Sequence, residues 1–456
     1  MTSNASRREF IKRVSALSSA GVAAPWALNL AALGEAAAAD ATGYKALVCV
    51  FLFGGNDYAN TVVPYDSASH ALYTAQRDTL ATARSNLAPT VLNPVSALPG
   101  NRQYALAPQL APLLPIFDAG RLAVLLNIGT LVMPTTKAQY QAGSVMLPPK
   151  LFSHNDQQSV WQSSSPEGST SGWGGRMGDL FASSNGNSTF TCVSAAGNAV
   201  FLSGRSAVQY QVTANGSVPL SALRTPLFGS QSCSDALRAL VTASRTHLYE
   251  AEHTRVMKRS VDADTALTTA LSGQAALNTV FPAGNGLAGQ LSMVAKMIAA
   301  RSTLGAKRQV FFVSLGGFDN HDSLATDHPL LLAAVGPALA AFQAAMTELG
   351  VADQVTTFSA SDFGRTLTTN GDGSDHGWGS MHFVMGGAVQ GRRFYGTAPA
   401  VANNGPDDVG QGRLLPAVSV DQLGATLGRW FGVSDSELDT VMPNLRNFTT
   451  RNLGFM

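Results

Sequence analysis

Cysteine is scarce in this chain, with three residues in 456, and no two of them form a Cys-x-x-Cys pair. That excludes a zinc ribbon, a thioredoxin-like redox site and a disulfide framework. Cys49 falls inside an apolar run and reads as a buried, inert thiol. Cys192 and Cys233 can be read equally well as a pair or as two free thiols. Charge is sparse as well, with 13% of residues Asp, Glu, Lys or Arg and a formal net charge of +1. A chain so near neutrality has no electrostatic case for binding nucleic acid. Familiar catalytic signatures are missing too: no Gly-x-Ser-x-Gly elbow, no P-loop and no His-Glu-x-x-His. Gly284-Asn-Gly-Leu-Ala-Gly289 has the letters of a dinucleotide fingerprint, but no convincing buried strand precedes it and it reads as a loop. Beyond the first 39 residues, no segment reads as long and apolar enough to span a bilayer.

What is present begins at the N-terminus. Ser6-Arg7-Arg8-Glu9-Phe10-Ile11-Lys12 is a twin-arginine motif, followed by a weakly apolar stretch from Val14 to Leu33 and small residues at Ala36 to Ala39. Pro25 and Asn29 interrupt that stretch, which suits a cleaved signal better than an anchor. Residues 1–39 are therefore expected to be a signal read by the twin-arginine export machinery. The mature chain is expected to be periplasmic or secreted and free of the membrane. Cleavage there removes Arg7, Arg8, Lys12 and Arg13 with Glu9 and Glu35, taking the formal charge from +1 to −1.

Residues 40–456 suffice for one large α/β domain. Lys45 to Phe53 is a continuous apolar run closed by Gly54-Gly55, as expected of a strand buried on both faces. Arg121 to Ile128 reads as a second buried strand, and Gln309 to Leu315 and Gln354 to Ser359 as strand-like runs. A helix is marked from Asp327-His328-Pro329 to Gly350, and another from Asp421 to Phe431, closed by Gly432. This alternation implies a mostly parallel central sheet with helices on both faces. Residues of about 163–280 differ. The part up to about Ser234 is rich in Ser, Gly, Asn and Thr and reads as inserted loops or a small antiparallel elaboration. Ser244 to Leu277 reads as a polar helical cap or arm.

In parallel sheets, ligands bind beyond the carboxyl ends of the strands. Asp57, Asp319 with His321, and Asp362 each sit just past such an end, and Asp375-His376 follows on a Gly-rich loop. Four of only 8 histidines fall between His321 and His382. A mixed oxygen and nitrogen set suits Zn²⁺ or Mn²⁺ better than Ca²⁺. With Asp57, Asp319, His321, Asp362, Asp375, His376 and His382 as candidate ligands, the number fits one or two ions. His382 is divided between ligand and structural residue, and His328 reads as helix-start structure. Ser153, ahead of a helix, is a candidate nucleophile or a plain N-cap; His154 is a candidate acid or base. Arg365 is placed to fork onto phosphate or sulfate oxygens, or to form a surface salt bridge.

The same residues resemble the exported bacterial family known as domain of unknown function 1501, within the alkaline-phosphatase-like superfamily that includes sulfatases. The resemblance rests on the twin-arginine leader, Phe53-Gly-Gly-Asn-Asp57 with Asn60-Thr-Val-Val-Pro64, and Leu151-Phe-Ser-His154 with Gln157-Gln158. It continues in Gly316-Gly-Phe-Asp-Asn-His321, Ser361-Asp-Phe-Gly-Arg365, Asp375-His-Gly-Trp-Gly379 and Val418-Ser-Val-Asp-Gln422 through Trp430-Phe431-Gly432. It implies an alkaline-phosphatase-like α/β fold, two divalent metals and a nucleophile on a helix N-terminus, with Asp57 as the early-strand ligand and Ser153 as nucleophile. Asp319 with His321, then Asp362 and His376, would complete the metal sites. The chain departs from the superfamily pattern in having Asp-x-His where Asp-x-x-x-His is usual, and Asp362-Phe363 where an Asp-His pair is usual. No Cys or Ser stands in the Cys/Ser-x-Pro-x-Arg context of formylglycine sulfatases. The implied activity is metal-dependent hydrolysis of phosphate or sulfate esters, by serine or by an activated water. The other reading is a degenerate member that binds an anionic ester or a polysaccharide without turnover.

Overall fold

The computed structural model describes residues 41–456, so the twin-arginine motif and the expected cleavage sites lie outside the described residues. Among the described residues a ten-stranded sheet organises the chain. Its strands are β1 (Lys45–Leu52), β2 (Leu122–Gly129), β3 (Cys192–Ser194), β4 (Tyr210–Thr213), β5 (Gly216–Ser217), β6 (Arg308–Leu315), β7 (Val355–Ser361), β8 (Ser380–Gly386), β9 (Arg393–Gly396) and β10 (Val418–Ser419). Their order is β9-β2-β8-β7-β1-β6-β3-β4-β5, with β10 also paired to β2. β1 is parallel to both β6 and β7, and β3 continues parallel to β6. β8 runs against β2 and β7, and β5 runs against β4. The sheet is mixed and mostly parallel, as the alternating pattern implies.

Helices cover both faces: α1 (Ser67–Arg77), α2 (His154–Ser163), α3 (Trp173–Phe181), α4 (Gln231–Thr242), α5 (Leu248–Ser272), α6 (Gly286–Ala299), α7 (Leu324–Glu348) and α8 (Val420–Phe431). The unbroken apolar run of β1 follows from this layering. Ala46, Val48, Val50 and Leu52 pack with Leu291 and Ile298 of α6 and Leu339 and Phe342 of α7. The alternate residues Leu47, Cys49 and Phe51 pack with Trp161 of α2, Met177 and Phe181 of α3, and Leu423 and Leu427 of α8. Successive side chains leave a strand on opposite faces, so a strand covered twice has no polar position to spare.

Several expectations change in detail. The helix marked from Asp327 begins at Leu324, after Ser323 with φ 51°, so Pro329 and Pro337 both lie inside it. This helix also corrects the reading that no later segment could span a bilayer. By length and a mean hydropathy of 1.7 it is apolar enough, although half of that window is buried inside the fold. Its Ala/Leu-rich body is core, packed on α6. The middle segment is less separate than its composition suggests, because β3 inserts into the main sheet and β4 and β5 extend it as a hairpin. α5 packs on α4 and β5, at that edge of the sheet. Cys49, Cys192 and Cys233 are all free thiols. The fingerprint-like glycines mark the start of α6, where the Asn285 side chain accepts from Ala288 N–H at 3.0 Å.

Candidate metal centre

The ends of β1, β6 and β7 meet. Gly54 has φ 118°, and a Cβ there would lie 2.3 Å from the Asp319 backbone nitrogen. Glycine is what allows the loops after β1 and β6 to touch. The Gly54 N–H donates to Asp362 Oδ1 at 3.1 Å, and its carbonyl accepts from Arg365 Nη1 at 3.1 Å. Arg365 Nη1 also donates to Asp319 Oδ1 at 2.5 Å. One glycine residue thus links the acidic groups that follow β6 and β7.

Three imidazoles converge on the Asp319 carboxylate. Nε2 of His154 is 3.3 Å from Oδ2, while Nε2 of His321 and Nε2 of His376 are each 3.1 Å from Oδ1. The opposite nitrogen of each ring faces an acceptor, hydrogen-bonded in His154 and His376 and near a carboxylate in His321. Nδ1 of His154 lies 2.6 Å from Asp362 Oδ2, Nδ1 of His376 lies 2.7 Å from the Phe152 carbonyl, and Nδ1 of His321 lies 3.4 Å from Asp375 Oδ1. A ring that donates from Nδ1 presents a lone pair at Nε2, the tautomer in which histidine binds a metal. Phe363 follows Asp362, and its ring packs 4.9 Å from that of His154 and 4.7 Å from that of His376.

Local structure explains the convergence. His154 is the first residue of α2, and Gln158, one turn along, donates to the same Asp362 oxygen at 2.8 Å. Residues four apart share a helix face, so His154 and Gln158 read that carboxylate together. The turn before α2 contains Lys150 at φ 43° and Phe152 at φ 73°. Left-handed backbone is costly for such residues and is kept where the surroundings fix it. Here it aims the Phe152 carbonyl at His376.

The residues fit a divalent cation. The His154, Asp319 and His376 ligand atoms lie within 4.8 Å of one another. His154 Nε2 is buried and has no hydrogen-bond partner among the described residues, although Asp319 is close by. The Nε2 atoms of His321 and His376 face each other at 2.8 Å, and two lone pairs at that distance need a proton or a cation between them. Nitrogen-rich ligation with one carboxylate suits Zn²⁺ or Mn²⁺.

The other candidate residues lie elsewhere. Asp362 stands behind His154, with both oxygens engaged by Gly54, His154 and Gln158. Asp375 stands behind His321 and accepts from Asn370 Nδ2 at 3.0 Å. Asp57 is buried and ion-paired with the buried Arg77. His382 lies within β8, its Nδ1 3.2 Å from Ser359 Oγ and its ring 5.1 Å from that of Trp161. Burial pushes it down to about 3, so it is neutral. His328 is likewise buried and pushed down to about 4, and its Nε2 meets Asn56 Oδ1 at 3.0 Å. Arg365 is buried and directed at protein groups: Ser374, Gly54 and Asp319. The Ser153 hydroxyl donates to Asp156 Oδ2 at 3.0 Å. Gln158, the Phe152 carbonyl and Arg77 were given no role from sequence. Only Gln158 had a signal there, its spacing of four from His154.

Electrostatics sharpen the assignment. The Asp362 hydrogen bond, against the opposing effect of burial, raises His154 above the usual histidine range. Burial lowers His376. Burial pushes Asp319 up, but hydrogen bonding and charge from Arg365, with His154 and His321, hold its carboxyl below the usual range. Two expected outcomes follow. Asp362→Asn should weaken Zn²⁺ affinity by roughly 10–100-fold through loss of ring orientation, measured by competition with a chromophoric chelator. In the wild type, Zn²⁺ affinity should fall as pH drops through the raised His154 value, because the proton and the cation compete for Nε2. The loss should therefore begin at higher pH than an ordinary histidine sets, and should move to lower pH in Asp362→Asn. In the ion-free protein the sign is opposite. A raised histidine stabilises the fold at low pH, and that contribution is lost as pH rises through its folded value.

The fold and its strand-end cluster define an α/β protein with an imidazole–carboxylate centre. The chain belongs to the family described as Protein of unknown function (DUF1501), whose profile matches residues 44–443. No curated protein matches it. Among solved structures it is similar to Ps i-CgsB in complex with k-i-k-neocarrahexaose, with 9% identity over 89% of this chain and 77% of that one, TM-score 0.36. The C-terminal periplasmic domain of EcEptC from Escherichia coli shows 12% identity over 91% and 88%, TM-score 0.34. The PsFucS1 sulfatase from Pseudoalteromonas sp. shows 10% identity over 89% and 71%, TM-score 0.34. Likenesses this distant carry no argument about chemistry, which rests on the residues themselves.

Proposed function

We propose that this chain is an exported, metal-dependent hydrolase of phosphate or sulfate esters. The observation that carries the reading is the set of imidazoles whose Nε2 atoms converge on Asp319 while their Nδ1 atoms are held from behind. His154, His321, His376 and Asp319 would hold the cation. A divalent cation there would supply Lewis acidity, polarising an ester oxygen and acidifying a water. Asp362, Gln158, Asp375 and the Phe152 carbonyl keep the rings in the tautomer that binding requires. Asp319 and His321 have side chains 42% and 43% exposed, so an ester reaches the centre from solvent. Lys150, mostly exposed, and Arg413, whose guanidinium lies 4.9 Å over the Phe152 ring, place positive charge on elements that border it. Hydrolysis breaks the ester P–O or S–O bond, joins the water oxygen to phosphorus or sulfur and returns a proton to the departing alcohol. Because the Ser153 hydroxyl is directed to Asp156, water is the nucleophile this geometry favours.

The same observation about Ser153 supports a second reading, in which the centre binds an anionic polysaccharide or ester without turnover. Metal analysis of purified residues 40–456, joined to a screen of aryl phosphate and aryl sulfate esters, separates the two. Bound ion with turnover that is lost in Asp319→Ala supports the hydrolase. Bound ion without turnover on either ester class leaves the binding protein, and absence of any ion removes the metal-dependent reading. Export through the twin-arginine route predicts cytoplasmic retention when Arg7 and Arg8 are both replaced by lysine.

A further inference from the structure

We infer that the centre takes a single divalent cation, with the guanidinium groups of Arg77 and Arg365 holding the positive charge that a second cation would bring. This rests on the reading above that the converging imidazoles bind a cation at all. A two-ion centre needs carboxylates to spare at the strand ends, and each of them is already committed. Asp57 Oδ1 is bonded by Arg77 Nη2 and by the Ala59 N–H at 3.2 Å, leaving Oδ2 without a partner among the described residues. Asp362 spends both oxygens on Gly54, His154 and Gln158. Asp319 is shared between the imidazoles and Arg365. Asp375, through His321, acts from behind.

Arg77 is buried along with its partner Asp57, and Arg365 lies deeper than the partly exposed Asp319 it meets. The side chains of Arg77 and Arg365 are both 0% exposed. Guanidinium does not lose its proton in proteins, so each is a fixed positive charge. Together they bracket the loop that leaves β1, Arg365 holding the Gly54 carbonyl and Arg77 holding Asp57. A second dication set between these acids would meet two buried cations that cannot leave, with one unpartnered carboxylate oxygen as its ligand. One oxygen is too few for the N/O sites that hold Zn²⁺ or Mn²⁺. The imidazole-bearing half of the centre lacks no ligand. The half that begins at Asp57 is closed by Arg77.

Stripped protein of residues 40–456, titrated with Zn²⁺ by calorimetry and counted by elemental analysis after desalting, should bind one equivalent. Two tight equivalents would overturn this inference and leave the metal-dependent reading standing, whereas zero would overturn both. Asp57→Asn alone leaves a buried guanidinium unpaired and is at risk of misfolding, so the paired variant Asp57→Asn/Arg77→Met is the second test. It should still bind one equivalent, with affinity changed by less than about threefold. A tenfold or greater loss of affinity in a folded double variant would place Asp57 among the ligands and sink the assignment.

Discussion

Replacing Asp57 by asparagine should cost roughly 3–5 kcal/mol of folding stability, the usual consequence of removing one partner from a buried ion pair. The cause is the group left behind. Arg77 is fully buried, and among the described residues its Nε and Nη1 lack hydrogen-bond partners and its one ion pair is with Asp57. Without that carboxylate the guanidinium keeps its charge in a site that water does not reach. A domain is commonly stable by only about 5–15 kcal/mol, so the variant should unfold at markedly lower urea than the wild type. Asp57→Asn/Arg77→Met should recover most of the loss, because removing both charges from a buried pair is often close to neutral. Equal urea midpoints for the single variant and the wild type would show that the pair contributes little.

The second large effect is expected at His154. His154→Ala removes a proposed ligand whose ring is oriented by Asp362, itself held by Gln158, and whose Nε2 faces Asp319. Turnover of whichever aryl ester the wild type accepts should fall by about 10³-fold or more, since a poorly held cation no longer supplies several kcal/mol of transition-state stabilisation. Zn²⁺ retained after desalting should fall with it, while the circular dichroism spectrum and urea midpoint change little. His382→Asn provides the contrast. That ring is buried in β8 against Trp161, away from the converging Nε2 atoms, so its replacement should lower stability and leave the metal content of the folded protein unchanged.

The sheet was legible in the sequence because strands covered on both faces are rich in apolar residues. That pattern is unbroken in β1 and nearly so in β2 and β6, while β7, with Thr and Ser at four of its seven positions, shows it only weakly. The placement of acids and imidazoles at strand ends was legible for the same reason, since the end of an apolar run marks where the chain leaves the core. What a carboxylate does once it is there was not. Asp57, Asp319 and Asp362 look alike in sequence, yet one is paired with Arg77, one faces the imidazoles and one orients His154. The difference is made by α1 and α2, which dock from elsewhere in the chain and leave no local signal of their target. The start of α7 was obscured in a similar way. Pro329 suggested a first turn, but the helix begins at Leu324, after the left-handed Ser323.

The four side chains of the cluster, His154, Asp319, His321 and His376, come from three separate stretches: the start of α2, the loop after β6, and the glycine-rich loop ahead of β8. No short fragment of the chain contains the set, and an unfolded chain holds none of it together. Occupancy and tertiary structure are therefore linked by mass action. A cation at about one hundred times its dissociation constant would add about 2.7 kcal/mol to the folded state. Melting temperature should then climb with free Zn²⁺ concentration, and a chelator should bring it down again, so the ion would act as a late brace that only the completed fold can accept.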